Sequence, residues 1–136
     1  MTTYVDASVL LRPLLGQEGA MDLSQLRPAA TSRLTRVEVL RTLERWRLRG
    51  LLDEGEYVSR RTSAQNLLHS FTLVEVTGSI LDRAEDGLPL PLGTLDAIHL
   101  VSALRWRETT GPLRFATHDR ALADAASASG FDVVGG

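Results

Sequence analysis

The chain has no cysteine among its 136 residues. That removes disulfides, thiolate nucleophiles and cysteine-based zinc sites together. It has no lysine either, so all fifteen basic residues are arginine. A P-loop lysine, a Schiff-base lysine and the lysine of receiver-type phosphorylation domains are therefore excluded. No apolar run approaches the length of a membrane span, and no charged N-terminal segment leads into an uninterrupted apolar core. The expectation is a chain that is neither exported nor inserted into a membrane and works in the cytoplasm. The formal charge of −2 argues against a generic basic nucleic-acid binder. There is no G-x-S-x-G elbow, no G-x-G-x-x-G and no H-E-x-x-H. The three histidines, His69, His99 and His118, are too scattered for a zinc site and read as structural. A phosphoaspartyl phosphatase would want a second aspartate two residues after Asp6, where this chain has Ser8.

The length is that of one domain with one sizeable core, spanning residues 1–136. Strand and helix patterns alternate along it. "TTYVD" reads as a strand and "ASVLLRPLLG" as a short helix that Pro13 bends or shortens. A brief strand over residues 29–32 precedes an arginine-rich helix from about Leu34 to Arg49, and a second amphipathic helix covers Glu54 to Ser70. "FTLVEV" is a strand, "GSILDRAED" a short helix, and "GLPLPLG" a Pro/Gly-rich connector into "TLDAIHLVSALRWRE", a helix apolar on nearly all sides. "LRFATHD" is again a strand ending in aspartate, followed by the helix "RALADAASASG" and the strand "FDVVGG". This alternation implies an α/β sandwich around a short parallel sheet, whose ligands bind outside the carboxyl ends of the strands. Asp6 and Asp119 fall at that edge.

Each candidate acid carries two explanations. Asp6 is either a helix cap or a member of a site. Asp96, in the first turn of a helix capped by Thr94, either answers the helix dipole or is buried on an apolar surface with His99 as its one adjacent base. Glu38 shares a helical face with Arg41, Thr42 and Arg45, so an ion pair with Arg41 competes with a site role. Asp124, Asp132 and the acids of "LDEGE" read as surface residues. If Asp6, Glu38, Asp96 and Asp119 converge, each close pair costs about 4 kcal/mol at ~4 Å in an effective dielectric near ~20. Only a cation makes such a cluster tolerable, and for an all-oxygen set that ion is Mg²⁺ or Mn²⁺. Neutralising the four acids takes the formal balance of the remainder from −2 to +2, which suits a polyanion. Residues 33–49 hold six arginines against two glutamates, and such a run is commonly a solvated helix face. Arginine is also the side chain best suited to phosphate, which makes Arg41 and Arg45 candidates for RNA phosphate contacts.

"YVDASVLL", "SRLTRVEVLR", "LDAIHLVSA" and "FATHDRALADAA" resemble, in order and character, the acidic motifs of PIN domains, particularly the bacterial VapC-type toxins. The resemblance covers nearly the whole chain. It implies a PIN-like three-layer sandwich with a short, mostly parallel central sheet flanked by helices. It also implies a metal-dependent ribonuclease held in check by a cognate VapB-type antitoxin, acting as a homodimer and leaving a 5′-phosphate. Asp6, Glu38, Asp96 and Asp119 fall on the family's acids, and Ser8 and Thr117 on its supporting hydroxyls. The absence of lysine is a departure that moves the grip on substrate to arginine.

The expected function is thus a Mg²⁺- or Mn²⁺-dependent endoribonuclease toxin that cleaves structured RNA at unstacked loops. A non-catalytic PIN-fold module that binds RNA or protein is the alternative from another class. A metal-dependent phosphatase, phosphodiesterase or DNase is the enzymatic one.

Overall fold

The computed structural model describes residues 1–135. Five strands form one sheet: β1 (Thr2–Val5), β2 (Ala29–Ser32), β3 (Thr72–Val74), β4 (Leu113–Thr117) and β5 (Asp132–Gly135), in the order β3-β2-β1-β4-β5. All four pairings are parallel, so every connection is a crossover, and helices supply them. These are α1 (Ala7–Leu14), α2 (Arg33–Leu48), α3 (Glu54–His69), α4 (Gly78–Ala84), α5 (Thr94–Thr110) and α6 (Arg120–Ala128). The α/β sandwich expected from the alternating pattern is what forms. A short 3₁₀ turn at Leu23–Leu26, capped by Asp22 through the Ser24 N–H, has no periodic signal in the sequence. α4 is shorter than "GSILDRAED" suggested, ending at Ala84.

Side chains alternate across each strand and fill two cores. Tyr4, Ala30 and Phe115 face one way and pack with Ile98, Leu100, Val101 and Leu122 from α5 and α6. Val5, Ala29 and Ala116 face the other way and pack with Val9, Leu10, Val39, Leu43 and Leu68 from α1, α2 and α3. Tyr4, Phe115, Leu43 and Leu100 are fully buried, each such side chain stabilising by roughly 1.5–3 kcal/mol. α5 passes through the interior with Ala97 to Ala103 buried in succession, which is why its sequence is apolar all round.

Local signals fix the helix ends. Ser32 caps α2 through the Leu34 N–H, and Asp53 and Glu56 form a reciprocal capping box on α3. α5 is capped by Gly93, one residue before the Thr94 expected from the sequence, and makes no side-chain cap bond. It stops at Gly111, whose φ of 92° a residue with a Cβ adopts only under strain. α1 ends one residue after Pro13, as a ring without an N–H favours. No helix among the described residues is long and apolar enough to cross a membrane.

The strand order reverses direction at β1, which has β2 on one side and β4 on the other. The crevice at such a switch point opens at the carboxyl ends of β1 and β4, where the chain carries Asp6 and Asp119.

Candidate active site

Asp6 follows β1 directly and occupies the N-cap position of α1, yet its side chain makes no cap hydrogen bond. The Val9 N–H of the first turn is the last of the principal influences on its carboxyl, so capping is not what mainly holds this side chain. Its carboxylate instead accepts the Ser8 hydroxyl on Oδ1 at 2.6 Å and the Thr117 hydroxyl on Oδ2 at 2.8 Å. Both hydroxyls are themselves engaged from behind. Ser8 Oγ accepts the His118 N–H at 2.9 Å, and Thr117 Oγ1 accepts the Asp119 N–H at 2.9 Å. The two supporting hydroxyls thus tie the end of β1 to the turn after β4 and orient Asp6. Burial pushes the Asp6 carboxyl above its ordinary range, opposed by the hydrogen bonds from Ser8 and Thr117.

Asp119 caps α6, accepting the Leu122 N–H on Oδ1 at 2.9 Å. Its Oδ2 takes no hydrogen bond from the described residues. Asp96 stands in the first turn of α5 and is half-buried, less enclosed than the apolar character of its helix implies. Its carboxyl is pushed up first by burial, then by the charges of Asp119 and Asp6. Glu38 adds to the rise. The charges that act on Asp96 thus come from acids on three other elements.

Glu38 does not pair with Arg41. Its Oε1 lies 2.6 Å from Nε2 of His99, and the His99 Nδ1 lies 2.8 Å from the Tyr4 hydroxyl. His99 is 1% exposed and Tyr4 is fully buried, so this Tyr4–His99–Glu38 chain runs from the centre of the sheet out to the acids. Reading His99 as structural missed it. The available signal was the spacing in "LDAIH", which puts His99 one turn after Asp96 on the same face of α5. His118 sits beside Asp6 with its ring held toward the neutral form by burial and by Arg12.

Among the described residues no three acids or histidines stand close enough to hold a metal ion as they are. The donor set nevertheless suits a hard divalent cation: carboxylate oxygens only, backed by hydroxyls, with like charges as their main neighbours. Mg²⁺ keeps several waters and needs only one or two direct carboxylates, so an open group of four fits it better than a closed cage.

A groove of about 280 Å³ runs from Glu38 along α2, lined by Val37, Arg41, Thr42, Arg45 and by Leu95 of α5. Neither Arg41 nor Arg45 forms a salt bridge with the described residues; Arg45 reaches only Thr42 Oγ1, at 3.4 Å. Asp124 and Asp132 are exposed, as are Asp53, Glu54 and Glu56. A larger hollow of about 390 Å³, beside Met1, Pro112 and Asp132, lies at the amino ends of β1, β4 and β5, away from the acids.

Comparison with known proteins gives a consistent family. The model of the PIN domain matches residues 3–128. Ribonuclease VapC46 of Mycobacterium tuberculosis (strain ATCC 25618 / H37Rv) is 35% identical over 136 residues, covering 96% of this chain and 95% of the relative. Ribonuclease VapC47 of Mycobacterium tuberculosis (strain CDC 1551 / Oshkosh) is 31% identical, covering 94% and 92%. A toxin–antitoxin complex from Klebsiella pneumoniae superposes with a TM-score of 0.67 at 19% identity over 98% of this chain and 96% of that one. PAE2754 from Pyrobaculum aerophilum does so with a TM-score of 0.62 at 23% identity over 91% and 79%. At those identities the two structures speak for the fold alone.

Proposed function

The chain belongs to the PIN domain family, and from that premise we propose that it is the ribonuclease toxin of a VapBC-type toxin–antitoxin pair, an endonuclease dependent on Mg²⁺ or Mn²⁺. Its relatives are named ribonucleases along nearly their full length. The observation that carries the reading is the tie through Thr117, whose hydroxyl donates to Asp6 and whose oxygen accepts the Asp119 N–H, so that the acids after β1 and β4 stand together at the carboxyl edge of the sheet. Acids arranged to repel one another are costly to a fold and are retained where a cation or substrate uses them.

Asp6, Asp96 and Asp119 would hold the ion, directly or through water, with Glu38 completing the set. A bound divalent ion supplies an activated water at neutral pH and charge stabilisation at a phosphodiester. The chain's own residues do the rest. Ser8 and Thr117 keep Asp6 facing the crevice, and α6 presents Asp119 from its N-terminus. Arg41 and Arg45 offer guanidinium groups to RNA phosphates along the groove, while Val37 and Leu95, both exposed, offer apolar area to an unstacked base. A cognate antitoxin covering the acids would restrain the activity, and its place of action would be the cytoplasm, where the RNA is. Assembly as a homodimer rests on family likeness and is read by light scattering of the purified chain. Residues 1–136 would act as one PIN domain.

The test is cleavage of structured cellular RNA in Mg²⁺ or Mn²⁺ and in EDTA, with DNA and a phosphomonoester alongside. Metal-dependent cleavage of RNA alone is expected. Binding of RNA without cleavage would favour the non-catalytic module, and hydrolysis of DNA or the monoester would move the assignment to another hydrolase.

A further inference from the structure

We propose that His99 is a positioning residue for Glu38: the Tyr4 hydroxyl fixes its tautomer, and its Nε2–H holds Glu38 Oε1 so that Oε2 is the oxygen offered to the metal. This rests on the reading of Glu38 as a metal-site acid and says how that acid is aimed.

The two contacts of the ring frame the tautomer assigned to it. His99 Nε2 and Glu38 Oε1 are 2.6 Å apart, a distance at which two lone pairs repel, so a proton lies between them, and we place it on Nε2 as donor to the carboxylate. In a neutral ring of that form Nδ1 accepts, and the Tyr4 hydroxyl at 2.8 Å is its one partner among the described residues. A phenol keeps its proton at ordinary pH, so the Tyr4 hydroxyl can donate it to Nδ1 across 2.8 Å. Tyr4 itself cannot turn away. It lies on the central strand between Ala30 and Phe115, stacked on the Phe115 ring at 5.3 Å, with the His99 ring edge-on at 6.0 Å.

A purely structural histidine in an apolar core would most simply end on a backbone carbonyl. This one ends on a carboxylate whose side chain is 22% exposed and which lines the groove. Phe and Leu at positions 4 and 99 would fill the same space without polar groups to satisfy, so the chain's two buried polar links serve Glu38. Glu38 Oε2 takes no hydrogen bond from the described residues. Because Asp96 lies one turn before His99 on α5, one helix delivers both an acid and the group that aims another. Outer partners of this kind set the orientation and basicity of metal-binding carboxylates, and their loss typically costs about 10–100-fold in metal affinity or activity.

Three variants test it: His99→Leu removes the donor, His99→Gln keeps an amide N–H at nearly the same reach, and Tyr4→Phe removes only the phenolic hydroxyl. Mn²⁺ affinity is measured by calorimetry without RNA, and the His99 ring nitrogens are read by ¹⁵N NMR. The wild type should show the Nε2–H form. His99→Leu should weaken Mn²⁺ binding about tenfold or more, His99→Gln should restore it to within a few-fold, and Tyr4→Phe should let the Nδ1–H form appear and weaken binding in part. A folded His99→Leu protein with wild-type Mn²⁺ affinity, or a wild-type ring protonated only on Nδ1, overturns the inference. If His99→Leu does not fold, His99→Gln and Tyr4→Phe carry the test, and unchanged tautomer and affinity in Tyr4→Phe overturns it. A wild type that does not bind Mn²⁺ at all overturns the metal-site reading itself, a result distinct from wild-type binding that persists without the His99 donor.

Discussion

The hydroxyl of Thr117 donates to Asp6 Oδ2 at 2.8 Å across 111 positions of sequence, and Thr117 Oγ1 in turn accepts the backbone N–H of Asp119. One side chain thereby locks the acid after β1 to the acid after β4. Ser8 makes the corresponding link through the His118 N–H. Neither hydroxyl is exchangeable for a methyl group without leaving a buried carboxylate oxygen and a backbone N–H short of a partner.

Thr117→Val should accordingly destabilise the protein by about 1–3 kcal/mol, the usual cost of stranding a buried polar group. Denaturant unfolding measures it. Cleavage should fall as well, because Asp6 loses its orientation. A Thr117→Val protein as stable and as active as wild type would remove Thr117 from the support of the site.

Asp96→Asn keeps the volume of the side chain and removes its charge from the field it shares with Asp119, Asp6 and Glu38. RNA cleavage should drop at least as far as the roughly 100-fold upper range for lost metal-site partners, with the circular dichroism spectrum unchanged. Expression of the wild type alone should arrest growth, and Asp96→Asn should relieve the arrest. Arrest that persists in the variant would mean toxicity unrelated to this acid.

Arg41 and Arg45 line the groove without salt bridges among the described residues, which leaves their guanidinium groups available. Replacing either with alanine should weaken RNA binding several-fold. Each phosphate of a single strand that is no longer neutralised should also reduce the log–log slope of affinity against salt by about 0.7. The Mn²⁺ response of the melt should not change. Binding measured at several salt concentrations separates this from a general loss of fold.

The sheet and its helices were legible because strands and helices alternate with clear periods along the chain. Asp6, Asp96 and Asp119 were legible as candidates because each falls where a strand ends or an apolar helix begins. What the sequence could not show was the set of partners. Glu38 and Arg41 are helical neighbours on paper, but burial places His99, 61 positions away, nearer to Glu38. Asp6 has the residue type and position of a cap, and only the folded chain brings Thr117 close enough to claim its carboxylate. Contacts between distant segments depend on side-chain packing, which local patterns do not encode.

The carboxyls of Asp6 and Asp96 are both raised, by burial first, so the metal-free native state binds protons at pH values where the unfolded chain has released them. By linkage, stability falls as pH rises from the unfolded value, near 3.8, through the raised folded value. The difference between wild type and Asp96→Asn isolates one of these groups. In EDTA the wild type should lose stability relative to the variant across that window as pH increases. A difference independent of pH would show that Asp96 is not raised in the folded protein.

Metal should reverse that penalty, and Asp6 decides how far. Binding to the native state alone stabilises by RT ln(1 + [L]/Kd), about 2.7 kcal/mol at one hundred times Kd, so the wild-type melting temperature should rise with Mn²⁺ or Mg²⁺. Asp6→Asn should blunt the rise. The amide can still accept one hydroxyl on its oxygen and donate to the other through its nitrogen, so Ser8 and Thr117 remain partnered while one buried charge is gone. The metal-free variant should therefore melt above the metal-free wild type. A residue that merely caps α1 predicts neither effect. Melting both proteins in EDTA and in saturating Mn²⁺ gives four temperatures, with the wild type lowest in EDTA and most responsive to the ion. A wild-type melt indifferent to metal would take away the reason for four acids to share one edge of the sheet.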